Sequence, residues 1–131
     1  MALKLPLILA LLTAGTAAAA QPPLSSVKFV NDGLRNIAIA DEIRSNCGSI
    51  GARMIAALQF INKLESHAQA QGYSKDEIED FVKSKADRKR LEAEAKAFLV
   101  ANGATNESGY CALGRKEIAR NSQVGALLRA K

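Results

Sequence analysis

Two cysteines, Cys47 and Cys111, constrain this chain more than any other feature, because there is no third with which either could pair. Their meaning depends on the compartment, and the first twenty residues address that. Lys4 is followed by an apolar run, Leu5 to Leu12, and then by a small-residue tract, Thr13 to Ala20. A basic residue, a short apolar core and a small-x-small site at Ala18-Ala19-Ala20 are the order of a secretory leader, with cleavage expected before Gln21. The apolar core is far shorter than the ~20 residues needed to cross a bilayer. No cysteine lies near the cleavage site, so the sequence does not suggest a lipid-anchored N-terminus.

In an exported chain, two cysteines imply one intramolecular disulfide. Closing a loop of about 65 residues would stabilise the fold by ~4 kcal/mol in the chain-entropy picture. A redox-active couple is the competing reading, but it normally needs neighbouring thiols in a C-x-x-C spacing. The expected location is therefore periplasmic or secreted, as one domain over residues 21–131. The whole chain carries 18 basic and 13 acidic residues, and Lys4 falls in the leader. The remaining excess is modest, and export makes nucleic acid an unsuitable partner.

Hydrophobic periodicity predicts an all-α domain, a small bundle of about five helices. Gln21 to Val30, with Pro22 and Pro23, reads as an extended arm (21–31), with Val27, Phe29 and Val30 laid on the core. Asn31 and Asp32 offer N-cap oxygens for a first helix over about Gly33–Asn46, carrying Leu34, Ile37, Ala38, Ala40 and Ile43 inward. Gly48 breaks it, and Ser49 is expected to cap a long second helix over about Ile50–Gln71. Its predicted buried face is Ile50, Met54, Ala57, Leu58, Ile61, Leu64 and Ala68, with Phe60 off centre and Gly72 as the stop.

Ser74 and Glu77 form a capping box, with Tyr73 and Ile78 as its staple, for a short helix over about Lys75–Lys83. Ser84 with Asp87 starts another over about Lys85–Ala101, packed through Leu91, Ala95, Phe98 and Leu99 and ended by Asn102-Gly103. Ala104–Gly109 reads as a polar loop containing Asn106-Glu107-Ser108, which matches a common glycosylation pattern of little weight here. A last helix is expected over about Tyr110–Arg120, followed by a final turn or two with Val124, Leu127 and Leu128.

Few residues invite chemistry. His67 is the only histidine, and a general base needs a nucleophile and an orienting group beside it. Ser66 points about a quarter-turn away on a helix, so a solvent-edge residue is the favoured reading. Zinc would need three or four recognisably spaced ligands. Asp76, Glu77, Glu79 and Asp80 lack the alternating oxygen ligands of a calcium loop and suit a helix N-terminus instead. Lys83, Lys85, Arg88, Lys89 and Arg90 form a basic run. It reads as a solvated face with pairs such as Arg88–Glu92 and Arg90–Glu94, or as a contact for anionic headgroups. No phosphate loop, haem attachment motif or nucleophile elbow is present. No catalytic residue, metal or cofactor is expected.

Ile39-Ala40-Asp41-Glu42-Ile43-Arg44, Cys47, Ile50-Gly51-Ala52-Arg53-Met54, Tyr110-Cys111-Ala112-Leu113-Gly114-Arg115, Ser122 and Leu127-Leu128-Arg129 together carry a resemblance. The chain resembles a family of short exported bacterial proteins known only as a domain of unknown function, over nearly all of residues 21–131. Gly48 departs from the family, where proline is more usual. The resemblance implies an all-helical, disulfide-linked domain and supplies no activity.

Arg44, Arg53, Arg115 and Glu117, with Asp41 and Glu42, lie close to the cysteines in sequence. They are read as a salt-bridge network or, more sharply, as a recognition patch for an anionic group. The expected function is a non-catalytic binding or scaffolding module of the cell envelope, whose partner is an envelope protein or anionic ligand. The alternatives are an envelope enzyme using carboxylates or His67, and a peripheral binder of anionic membranes through residues 83–90.

Overall fold

A computed structural model describes residues 21–131; residues 1–20, where a leader and its cleavage site are expected, lie outside the described residues. The architecture is an all-α bundle of five helices closed by one disulfide, with a short two-stranded sheet beside it. The helices are α1 (Lys28–Asn46), α2 (Met54–Ala70), α3 (Lys75–Lys83), α4 (Lys85–Ala101) and α5 (Glu107–Arg120). Between α1 and α2 runs strand β1 (Ile50–Ala52), and the chain closes with β2 (Leu128–Ala130) after a 3-10 turn at Gly125–Leu127.

The N-terminal arm is not extended to residue 31. After Pro22-Pro23, a 3-10 turn forms at Leu24–Ser26 and α1 begins at Lys28. Asn31 and Asp32 therefore sit inside the helix and do not cap it. Asn31 instead turns its amide onto two carbonyls, donating through Nδ2 to Leu24 O (2.7 Å) and Val27 O (2.8 Å). Those bonds fold the turn back onto α1. Asp32 pairs with Lys28 and Arg35 on the surface. Leu24 and Val30 gather with Ala68 and Tyr73 into a small second core that holds the arm down.

The main core surrounds α1, which packs on α4, α5 and α2. Ile39, Ala40 and Ile43 of α1 meet Ala95 and Leu99 of α4, Leu113 of α5, and Ile50, Val124, Leu127 and Leu128 from the strand and tail segments. Each large aliphatic side chain buried this way is worth ~1.5–3 kcal/mol relative to exposure.

The long second helix is shorter than its periodicity implies. Cys47 leaves α1 in extended backbone (φ −135°). Ile50–Ala52 then pairs antiparallel with Leu128–Ala130 in the register Ile50 with Ala130, Gly51 with Arg129, and Ala52 with Leu128. Ser49 caps nothing, and α2 starts after Arg53 without a side-chain cap. Its buried face is also turned from the expected one. Leu64 and Ala68 are buried and Ala57 and Phe60 pack on the main core, whereas Met54 (64%), Leu58 (58%) and Ile61 stay exposed, as does Ile55 (75%).

The local start and stop signals hold for α3 and α4. Gly72, at φ +95°, ends the second helical stretch. Ser74 Oγ accepts from Glu77 N (3.1 Å), and Ser84 Oγ accepts from Asp87 N (3.2 Å). Tyr73 is buried and Ile78 packs in the same cluster. The last helix begins three residues before Tyr110, because Asn106 Oδ1 accepts from Gly109 N (2.8 Å) and makes an N-cap of what reads as loop.

Candidate functional site

Cys47 and Cys111 are joined, with an S–S length of 2.04 Å and Cα atoms 5.2 Å apart, and no free cysteine remains. The bond ties the C-terminal end of α1 to α5 near its start. Cys47 is fully buried and Ser49 Oγ lies 3.3 Å from its sulfur. From this staple the chain passes directly into β1, and Lys131 N donates to Ser49 O (2.9 Å), so the two-stranded ribbon starts beside the disulfide.

Strand alternation decides what the ribbon shows to solvent. Ile50 and Leu128 point into the core and are buried. Gly51 and Arg129 are paired across the ribbon and share its other face. Lys131 follows β2 at one end of the ribbon, and Arg53 follows β1 at the other. A Cβ on Gly51 would lie 3.1 Å from Lys131 Cε and 3.6 Å from Arg129 Nε, so both basic side chains rest over the glycine. Arg53 is anchored where it leaves the strand: its N donates to Leu127 O (2.8 Å) and its Nη1 to Ala126 O (3.3 Å).

The charges expected near the cysteines divide accordingly. Arg44 lies one turn before Cys47 and is paired with Asp41 (2.5 Å) on the surface, an interaction worth at most ~1 kcal/mol. Glu42 stays with its own helix, through Asn46. Arg115 is exposed on α5, one turn beyond Cys111 and on the same side of the helix. Glu117 is not. Two residues on, it turns to the opposite side of α5, where it is 3% exposed and accepts from Arg120 Nη1 (3.3 Å). The structure thus separates Glu117 from the arginines. Among the described residues, no carboxylate lies within ion-pair distance of Arg53, Arg115, Arg129 or Lys131.

Arg129 and Lys131 are absent from the sequence-derived patch. The signal for them is the alternation Leu128-Arg129-Ala130-Lys131, apolar or small then basic, which is a strand pattern at the end of a chain that otherwise reads as helix.

The other candidates are held in ordinary roles. The His67 ring lies against Phe29, with ring centres 4.3 Å apart and planes tilted by 36°, and its Nε2 lies 3.0 Å from Gln71 Nε2. Glu79 pairs with Lys83 (2.6 Å). Within the basic run, Arg90 is shared between Asp87, Glu94 and Asn31, while Arg88–Glu92 does not form among the described residues. An open cleft of 420 Å³ lies between α1, α4 and α5, lined by Asp41, Glu42, Glu92, Lys96 and Tyr110 together with Ala38, Ala95 and Leu99. Among the described residues, no group of three His, Cys, Asp or Glu side chains is placed to hold a metal. No helix there is long and apolar enough to cross a membrane.

A family described as a family of unknown function, DUF5333, matches residues 22–129. No curated protein and no solved structure matches the chain.

Proposed function

The chain belongs to that family of unknown function, and from this premise we propose that it is an exported, non-catalytic binding module of the cell envelope whose basic ribbon, beside the disulfide, takes an anionic group of its partner. One observation carries the reading. Arg129 and Lys131 rest over Gly51 on the outer face of a ribbon whose inner face is locked into the core, Arg53 follows its first strand, and the described residues give none of the three a carboxylate partner.

Paired backbone holds these cations close together before any ligand arrives, and the arginine fork matches carboxylate or phosphate with two parallel hydrogen bonds. Arg115, on the side of α5 that carries Cys111, extends the positive surface. Arg44 contributes only if its pair with Asp41 opens. Glu117 is left out, since its carboxylate is buried away from the ribbon and accepts from Arg120. The leader-like residues 1–20 and the disulfide together support an oxidising compartment, periplasmic or secreted. An enzyme built on His67 receives less support, because the ring's neighbours are an aromatic side chain and an amide.

The test is an amide-shift titration of the disulfide-bonded protein with inorganic phosphate and with a glutamate-rich peptide. Shifts should concentrate at Gly51, Arg53, Arg129 and Lys131. They should vanish in the triple variant Arg53→Ala, Arg129→Ala, Lys131→Ala, and weaken as salt is raised. Shifts confined to other faces, or none with either anion, would refute the assignment.

A further inference from the structure

The strongest unexplained feature lies on the opposite kind of surface. Met54, Leu58 and Ile61 are spaced by four and then three residues, and Glu65 follows after another four. This is the spacing of a helix–helix seam, in which side chains fall in one stripe that meets a second helix. The inward face of α2 is already satisfied by Ala57, Phe60, Leu64 and Ala68, so the stripe is a second apolar face. It continues sideways, because Ile61 shares an apolar cleft with Val82 of α3, itself 53% exposed. Contiguous exposed apolar surface of this kind normally marks an interaction site.

We infer that this face is the contact between two copies of the chain, with their α2 helices packed antiparallel about a two-fold axis between Leu58 and Ile61. The charges choose that occupant and that direction. Glu65 is the one charged residue on the stripe. The N-terminus of α2, at the other end, has no side-chain cap and no acidic residue in its first turn, and Arg53 precedes it.

An antiparallel pair sets Leu58 of each copy against Ile61 of the other. It also brings each Glu65 beside the other copy's Met54, where the free amide groups of the first turn of α2 supply positive charge. A parallel pair would set Glu65 against Glu65. A bilayer is disfavoured because Glu65 lines the same apolar cleft as Ile61 and Val82 and would carry a carboxylate into the lipid. A seam of this length lies at the small end of specific interfaces, under ~1,200 Å², among weak and transient contacts, so a dissociation constant on the order of tens of micromolar is expected.

Sedimentation velocity of the disulfide-bonded protein, from about 1 µM to about 500 µM, tests this across the expected dissociation constant. The mass should rise from monomer to dimer. Leu58→Glu should weaken association by at least tenfold while leaving the thermal melt unchanged, because Leu58 is 58% exposed and outside the core. Glu65→Lys, on the surface, should weaken it by a smaller factor. A protein that stays monomeric throughout would overturn the inference, and so would a dimer indifferent to both substitutions. A monomer that binds uncharged lipid vesicles and loses that binding in Leu58→Glu would assign the face to membrane and overturn it equally.

Discussion

Arg90 Nη2 donates to Asn31 Oδ1 across 2.7 Å, joining α4 to a polar residue buried in α1, 59 positions away in sequence. The same Asn31 donates to Leu24 O and Val27 O, so one amide joins the N-terminal turn, the first helix and the fourth. Replacing it by alanine strips a buried carbonyl and an arginine of their partners at once. Asn31→Ala should therefore cost ~1–3 kcal/mol, the range for leaving buried polar groups unsatisfied, read as a lower midpoint in urea. Arg90→Lys should recover little, since a single ammonium does not reproduce bonds to Asn31, Asp87 and Glu94 together.

Alkylation of the native, unreduced protein should label no cysteine, and reduction should expose two thiols. Replacing both cysteines by serine releases a loop spanning 64 positions and should destabilise by ~2–5 kcal/mol. Cys47→Ser alone should do at least as much damage as Cys111→Ser alone, because Cys47 is fully enclosed by the core whereas Cys111 is half-buried.

Gly125 lies against the end of α5. A Cβ there would sit 2.0 Å from the carbonyl oxygen of Glu117 and 2.3 Å from its carbon, and backbone atoms cannot swing aside as a flexible side chain would. That carbonyl also receives Ser122 N (3.3 Å), so the tail and the helix end are fixed together. Gly125→Ala should force the tail away from α5 and cost ~1–3 kcal/mol, the usual range for overpacking. Weakened protection of the Leu128–Ala130 amides in hydrogen exchange would place the damage at the ribbon.

What could be read from the sequence follows the range of the interactions involved. The caps at Ser74 and Ser84 and the helix over Lys85–Ala101 are set by residues within a turn of one another, and they are found where the sequence places them. The disulfide needs only parity and a compartment. The ribbon was hidden, because its strands are three residues each and pair across 78 positions, too short to show alternation over the helical spacing of Ile50, Met54 and Ala57. The basic face follows the ribbon out of view, which is why the sequence-derived patch holds Arg53 and Arg115 and lacks Arg129 and Lys131. Asn31 misled for the reverse reason. Asparagine suits an N-cap, but its bonds with Leu24 O, Val27 O and Arg90 inside the fold outweigh that local preference.

Ile50 and Ile55 allow the ribbon to be tested against the continuous helix that the periodicity suggests. A helix running from Ile50 would give Ile50 the place of one more first-turn residue, with Met54, Leu58 and Ile61 buried beneath it. In the structure Ile50 is 1% exposed, in the main core with Leu127 and Leu128, while Ile55 is 75% exposed. Ile50→Ala should cost ~2–5 kcal/mol through lost burial and a cavity. Ile55→Ala should fall within ~0.5 kcal/mol, as for other surface changes. Met54→Ala and Leu58→Ala should resemble Ile55→Ala when measured dilute, where the α2 face is free. A large loss at Met54 with a small one at Ile50 would mean that α2 begins earlier and that the ribbon, with its row of basic side chains, does not form.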